Sequence, residues 1–394
     1  MTAVQQPKGA LAGAPGSEAA EVLHVFASFG YGGVPIRMSR IINHLGRRYR
    51  HCVVALDGCF DSRSRIEPTI DIRYLDVETT KGNPFQAVWQ ARRAIAGLRP
   101  DLVMTYNWGA VEWAMAASLL RGCRQIHCES GFGLEEARRQ IPRRALFRRL
   151  ALRRIESLIV PSQTLVEIAR TAWRIDPAKI VCIPNGVEIA RFARPPDPRA
   201  LEAAGLTAQP GRLRVGTAAP LRPEKNVARL VRAFARLPRE LDAGLVILGD
   251  GGERGALESL ARELGIAERV VFAGHVEAPE RLLGALDLFV LSSETEQMPN
   301  SLIQAMAAGL PVAATDVGDI GRILPELNRP YVVPAEGDRP LAEAMEALLG
   351  DRQLRVALGR ANSEQVRENY GEGLMLDRYT AVLGGADPGA EMAP

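Results

Sequence analysis

Leu291-Ser-Ser-Glu-Thr-Glu-Gln-Met-Pro-Asn-Ser-Leu-Ile-Gln-Ala-Met-Ala-Ala-Gly309-Leu-Pro-Val-Ala-Ala-Thr-Asp-Val-Gly318 begins as a strand and ends as one. Between the two, Pro299 and Asn300 are helix-start residue types, Ser301 to Ala308 is rich in helix formers, and Gly309 is a natural C-terminal stop. The helix therefore opens at the carboxyl end of a strand. Its first N–H groups, at Ser301 and Leu302, have no intrahelical acceptor, and with the helix dipole they can hold a diphosphate without a metal ion. Glu296 lies in the loop before this helix and Gln304 about one turn inside it, so both can face one ligand. An isolated Glu and an isolated Gln are ordinarily solvated surface groups; the pattern around these two argues otherwise.

The same alternation of apolar runs and helical patterns continues along the whole chain, as expected of βαβ units whose parallel sheets are buried on both faces. In the first half the strand candidates are 22–28, 51–56, 72–77, 101–107, 125–128, 157–160 and 179–183; in the second they are 214–217, 244–248, 269–273, 287–291, 311–315 and 330–333. A chain of 394 residues exceeds the usual size of one core. The expected division is a disordered tail over 1–20, a first Rossmann-like domain over 21–190, a linker over 191–212 containing Pro195, Pro196, Pro198 and Pro210, a second Rossmann-like domain over 213–365, and a final helix and tail over 366–394. The helical stretch Leu354 to Leu383 is long enough to cross back onto the first domain. The fold class is thus α/β, with two Rossmann-like domains facing a central cleft, where ligands of open α/β sheets gather.

A formal net charge of +3 gives no support to a nucleic-acid binder defined by its overall charge. Five scattered cysteines, without a CxxC pair, fit a reducing cytoplasm better than a disulfide framework or a zinc site. The first residues lack the basic start and apolar core of a secretory signal, and no apolar run approaches the roughly 20 residues that span a bilayer.

The quoted segment resembles the signature of glycosyltransferase family 4, the retaining enzymes of GT-B fold, in which a Glu, seven residues and a second Glu precede Ala-Met-Ala-x-Gly-x-Pro-Val. Here the first acid is Glu296, while Gln304 stands in the second position. The resemblance runs from about Leu23 to Tyr379 and includes Phe29-Gly-Tyr-Gly-Gly-Val34, Ile183-Pro-Asn-Gly-Val187, Gly249-Asp-Gly251 and Leu221-Arg-Pro-Glu-Lys-Asn226. It implies a retaining transferase that moves a sugar from a nucleotide-sugar, a UDP-sugar in the first instance, to a hydroxyl of a glycan, glycolipid or lipid-linked acceptor in bacterial surface polysaccharide or glycolipid synthesis, with no metal or other cofactor. By the same resemblance Glu296 contacts the transferred sugar, Gln304 takes the place of the acid on the ribose, and Arg222 and Lys225 neutralise the departing diphosphate. Pro220 stands where the family usually has an additional Arg. Gly32, Gly33, Gly249, Asn300, Ser301 and Leu302 are the other donor-site candidates, and His127, Glu129 and Asn107 the acceptor-site candidates, with His127 also a catalytic candidate. A sugar phosphorylase, a UDP-sugar 2-epimerase and an inactive donor-binding subunit are the alternative readings.

One stretch is conspicuously basic: Arg138-Arg139, Arg143-Arg144, Arg148-Arg149 and Arg153-Arg154, spaced by Ile141, Leu146, Phe147, Leu150 and Leu152. Such a segment suits an anionic surface at the inner face of the cytoplasmic membrane or a lipid-phosphate acceptor. An exposed basic helix with no partner is the equal alternative.

Overall fold

The computed structural model describes residues 19–77, 82–120, 122–136, 139–206 and 211–385. Two compact units divide them: one holds the chain up to Gly131, Gln140–Pro184 and the chain from Met375, and the other holds Phe132–Arg139 and Asn185–Leu374. Most of the expected tail, with Arg138 and Pro210, lies outside the described residues.

The first unit runs β1 (Ala20–Phe26), α1 (Gly33–Leu45), β2 (Tyr49–Ala55), β3 (Ile72–Leu75), α2 (Pro84–Leu98), β4 (Leu102–Tyr106), α3 (Val111–Ser118), β5 (Arg124–Cys128), α4 (Pro142–Ala151), β6 (Ser157–Val160), α5 (Gln163–Thr171) and β7 (Ile180–Cys182). These strands form a seven-stranded parallel sheet in the order β3-β2-β1-β4-β5-β6-β7. The second unit runs α6 (Ile189–Phe192), α7 (Pro198–Ala203), β8 (Leu213–Ala218), α8 (Val227–Ala235), β9 (Ala243–Leu248), α9 (Arg254–Glu263), β10 (Val270–Gly274), β11 (Leu288–Leu291), α10 (Asn300–Ala307), β12 (Val312–Thr315), α11 (Ile320–Ile323), β13 (Val332–Val333), α12 (Arg339–Gly350) and α13 (Arg352–Asn369). Its six strands are parallel in the order β10-β9-β8-β11-β12-β13. A last helix, α14 (Glu372–Leu383), packs from Met375 onward in the first unit.

Continuous apolar runs become strands here because both sheet faces are covered. All four residues of β11 are buried, as are all five of β4, and only backbone pairing on both sides satisfies their polar groups in such a place. In the first unit, Met38 and Ile41 of α1 share one face with Met375, Tyr379 and Val382 of α14, while Ala91 and Ile95 of α2 pack with Trp113 of α3 on the other. In the second, α8 and α12 cover one face through Leu230, Phe234, Met345 and Leu348, and α10 and α13 cover the other through Leu302, Met306 and Val366. Side-chain caps start several helices, among them Asn83 for α2, Ser162 for α5 and Asp351 for α13.

Two expectations change. The proline-rich span 191–212 is not a free linker where it is described: Phe192 and Leu206 are buried in the second unit's core, and Asp197 pairs with Arg281 while Arg191 pairs with Glu280. Pro198 starts the short helix α7 under the Asp197 cap. The single stretch 354–383 is two helices, broken where Tyr370 O accepts from Val187 N and Val187 O accepts from Glu372 N.

Three histidines are buried within the first sheet. His24 Nδ1 lies 2.8 Å from the Tyr106 hydroxyl and its Nε2 lies 3.0 Å from His51 Nδ1, while His127 Nδ1 lies 2.7 Å from Thr105 Oγ1. Burial, helped by the neighbouring His51, holds His24 well below its ordinary value. Burial against the opposing pull of Asp71 brings His51 to about 4, and burial together with Arg148 brings His127 to about 3. All three are neutral when folded and protonate near pH 6.5 when unfolded. Their contribution to stability is therefore complete above about pH 6.5 and declines as the pH falls toward the folded values, by about 1.4 kcal/mol per pH unit for each. Thermal melts should show a falling midpoint from pH 7 to pH 5; a midpoint unchanged over that range contradicts this reading.

Candidate functional site

In the second unit the strand order turns at β8, whose neighbours are β9 on one side and β11 on the other. Open α/β sheets bind ligands beyond the carboxyl ends of their strands at such a point. The loops there are residues 219–226 after β8 and 292–299 after β11. Gly249, expected to bring its backbone against a ligand, is in contact with protein instead: a Cβ at this position would lie 1.8 Å from Ala219 O. With φ of 153° and its N–H bonded to Gly274 O, it lets the β9 turn close on the β8 loop.

The two loops are stitched together. Lys225 Nζ donates to Glu296 Oε1 at 2.5 Å, and Ser293 Oγ donates to the same oxygen at 2.8 Å. Ser292 Oγ donates to Lys225 O at 3.1 Å, and Glu294 N donates to Glu224 O at 2.9 Å. Underneath, the buried Arg229 pairs with the Glu294 carboxylate and donates to Ser292 O at 2.8 Å, while Asn226 Nδ2 donates to Glu294 Oε1 at 2.6 Å. From β12, Thr315 Oγ1 donates to Ser293 O at 2.8 Å. Gly318, at φ of 59°, presses so close to the loop that a Cβ would meet Glu296 O at 1.9 Å. Glu296 is thus a positioned carboxylate, held by an ammonium and a hydroxyl at one oxygen.

Helix α10 opens immediately after this loop, with Pro299 at the cap position and no capping side chain. Leu302 N–H donates to Pro299 O at 3.1 Å and its side chain is buried, so this amide is not one of the open donors expected. A tight first turn consumed it. The open amides are those of Asn300 and Ser301, which have no acceptor among the described residues. Gln304 is half-buried one turn on, and Arg222 is exposed in the β8 loop; the side chain of neither has a partner among the described residues. Asn185 ties the 183–187 turn to the same region, its Nδ2 donating to Met298 O at 2.9 Å.

Arg229, Glu294, Asn226 and Asn185 escaped sequence reasoning. The available signal was an Arg among the buried positions of α8, where Val227, Leu230, Val231 and Phe234 define the apolar face: a buried guanidinium needs a carboxylate.

In the first unit, Gly32 occupies the cap position of α1 and Gly33 is its first residue, leaving the helix start without a side-chain cap. Two of the three expected acceptor residues lie inside the fold, while Asn107 is half-buried. His127 and Glu129 are both 0% exposed, because β5 is an interior strand beside β4 and β6. Asn107 Oδ1 accepts from Ser130 N at 2.8 Å, joining the ends of β4 and β5. Glu129 pairs with Arg148 at 3.3 Å, and the Arg148 guanidinium lies 4.7 Å from the Trp108 ring centre and 4.9 Å from that of Trp173. One member of the arginine run is therefore a core residue, 1% exposed. Arg149, Arg153 and Arg154 remain at the surface with Leu146 and Leu150.

Residues 202–365 match the family model for glycosyl transferases group 1, and residues 32–186 match that for a glycosyl transferase 4-like domain. Over 311 residues the chain is 32% identical to D-inositol 3-phosphate glycosyltransferase of Nocardia farcinica, covering 72% of this chain and 67% of that one. The chain belongs to glycosyltransferase family 4. Lipopolysaccharide core biosynthesis glycosyltransferase LpsE of Rhizobium meliloti is 31% identical over 159 residues, 40% of this chain and 46% of that protein, so this match spans under half of the relative's length. The structure of HepE from Anabaena in complex with UDP superposes on this chain with a TM-score of 0.76 at 18% identity, over 93% of this chain and 100% of that one. Both units are accordingly Rossmann-like domains of the GT-B class.

Proposed function

We propose that this glycosyltransferase moves a sugar from a nucleotide-sugar, a UDP-sugar, to a hydroxyl of a glycan, glycolipid or lipid-linked acceptor, with retention of anomeric configuration. The observation that carries the reading is Glu296, held by Lys225 and Ser293 beside the open start of α10. The amides of Asn300 and Ser301, with Lys225 and Arg222, bind the diphosphate and stabilise it as it leaves. Glu296 orients the sugar as positive charge develops at its ring, and Gln304 hydrogen-bonds the ribose through an amide that both donates and accepts. In this reading the leaving group's charge is met by groups of the chain itself. The UDP complex of the structural neighbour HepE supports the donor class, and a relative in lipopolysaccharide core synthesis supports a role in bacterial surface glycan or glycolipid assembly.

Slow hydrolysis of UDP-α-glucose and UDP-α-N-acetylglucosamine, followed by proton NMR, tests this without an acceptor. The expected first product is the α-anomer; the β-anomer rejects retention. Turnover that requires inorganic phosphate makes the protein a phosphorylase, formation of a 2-epimeric UDP-sugar makes it an epimerase, and no turnover with any donor makes it a binding subunit.

We also propose that Leu146, Leu150, Arg149, Arg153 and Arg154 rest on anionic lipid at the inner face of the cytoplasmic membrane, apolar side chains supplying burial and arginines the attraction. No helix among the described residues is long and apolar enough to cross a membrane. The protein should float with vesicles containing phosphatidylglycerol and not with pure phosphatidylcholine; equal flotation with both, or with neither, removes the proposal.

A further inference from the structure

Arg229 is the third residue of α8 and is only 5% exposed. Its guanidinium therefore carries a positive charge beside the positive end of a helix dipole, and it does so out of water. Neither circumstance favours it. Cations stabilise a helix from its other end, and a buried ion pair exchanged for apolar residues of like volume often leaves a protein as stable as before, or more so. Helix stability and packing thus give no reason for an arginine at this place. Its contacts do.

They fall on three consecutive residues of the loop after β11. Nη1 donates to Ser292 O at 2.8 Å and to Ser293 O at 3.4 Å, while Nη2 pairs with the Glu294 carboxylate. Such a spread of donors suits a planar fork and not a single ammonium. The same carboxylate accepts from Asn226 Nδ2 at 2.6 Å, and Asn226, left-handed at φ of 39°, caps α8 directly after Lys225. Glu294 is therefore shared between α8 and the turn that carries Lys225. Lys225, one residue before Asn226, and Glu296, two after Glu294, meet at 2.5 Å. The buried cluster fixes the backbone on both sides of that contact.

We propose that Arg229 and Glu294 are positioning residues: the pair acts through Lys225 and Glu296, setting their places for the transfer step, and contributes little to the stability of the second unit. The proposal rests on the transferase reading above. A displacement of about 1 Å from a productive geometry can cost about 100-fold in rate, which sets the size of the expected effect.

The test variant is Arg229→Met/Glu294→Leu, which removes both charges together and leaves neither buried alone; Asn226 is half-buried and can turn to water. Its melting midpoint by circular dichroism should stay within about 4 °C of wild type. Turnover of UDP-glucose and UDP-N-acetylglucosamine, read as UDP release, should fall about 100-fold in kcat with KM little changed. Introduced into Glu296→Ala, the same two substitutions should cost far less than they do in wild type, because the residue they act through is gone. Hydrogen exchange gives a readout independent of turnover: residues 292–296 should lose protection in the double variant while β12 and α13 keep theirs. Wild-type kcat in the double variant, the full loss repeated on top of Glu296→Ala, or unaltered exchange over 292–296 overturns the proposal. If the double variant unfolds, Glu294→Gln, which keeps the shape and removes the charge, takes its place with a kcat loss of about tenfold expected; unfolding of that variant too makes the pair structural and equally overturns it. Turnover by wild type alongside a kinetically silent double variant sinks only the positioning role. No turnover by wild type removes the transferase reading, and the exchange pattern then decides by itself whether the pair fixes the two loops.

Discussion

Glu296→Ala should lower the turnover of a UDP-sugar by about 100- to 1000-fold, the loss typical of removing one group aimed at charge that develops in the transition state. The protein should stay folded. Glu296 sits at a loop, not within a hydrophobic cluster, and Lys225, the cation it leaves behind, is 20% exposed and can turn to water. Lys225→Ala should also be severe, because the ammonium both meets the diphosphate and fixes the carboxylate at 2.5 Å. The double variant should fall little further than the worse single one, since the two side chains act as a unit. A UDP-release assay at saturating donor reads all three. Near-normal turnover by Glu296→Ala contradicts the role given to it, and fully additive losses contradict the coupling.

A second large effect is expected far from that loop. Glu129→Ala takes away the carboxylate 3.3 Å from the buried Arg148 guanidinium, and breaking a buried pair from one side costs about 3–5 kcal/mol. Arg148→Ala should be comparably severe, since it removes the guanidinium paired with the buried Glu129 and strips the packing from Trp108 and Trp173. Arg143→Ala, on the same helix but exposed, should change stability by no more than about 0.5 kcal/mol. Urea unfolding followed by tryptophan fluorescence reports the first unit alone, because every tryptophan lies in it. Similar midpoints for the Arg148 and Arg143 variants would refute the assignment of Arg148 to the core.

That contrast between two arginines shows what a linear sequence conveys and what it does not. The parallel strands were legible because burial on both faces demands unbroken apolar runs, as in Leu288–Leu291, and the punctuation at Asn300 and Gly309 placed α10 within a residue. Composition could not separate Arg148 from Arg149, since only the packing of α4 against α3, with Glu129, Trp108 and Trp173 around it, decides which guanidinium is enclosed. His127 misled for the same reason: a histidine at a strand end looks available until the flanking strands and helices are in place. In the second unit, Glu296, Lys225 and Gln304 were identified by the pattern they share with a family, whereas Arg229 and Glu294, which hold the loops from beneath, meet across 65 residues of chain. The amide of Leu302 was lost to a local choice between an open and a tight first turn, which no pattern of side chains specifies. The proline-rich span 191–212 has a linker's composition, yet Phe192 and Leu206 bury themselves in the second unit.

The structure of the protein with UDP-glucose bound is the most direct measurement of the donor site. The diphosphate should lie within hydrogen-bond distance of Lys225 and of the Asn300 and Ser301 amides, with the glucose against Glu296 and the ribose against Gln304. A nucleotide bound elsewhere, or one whose sugar points away from Glu296, contradicts it.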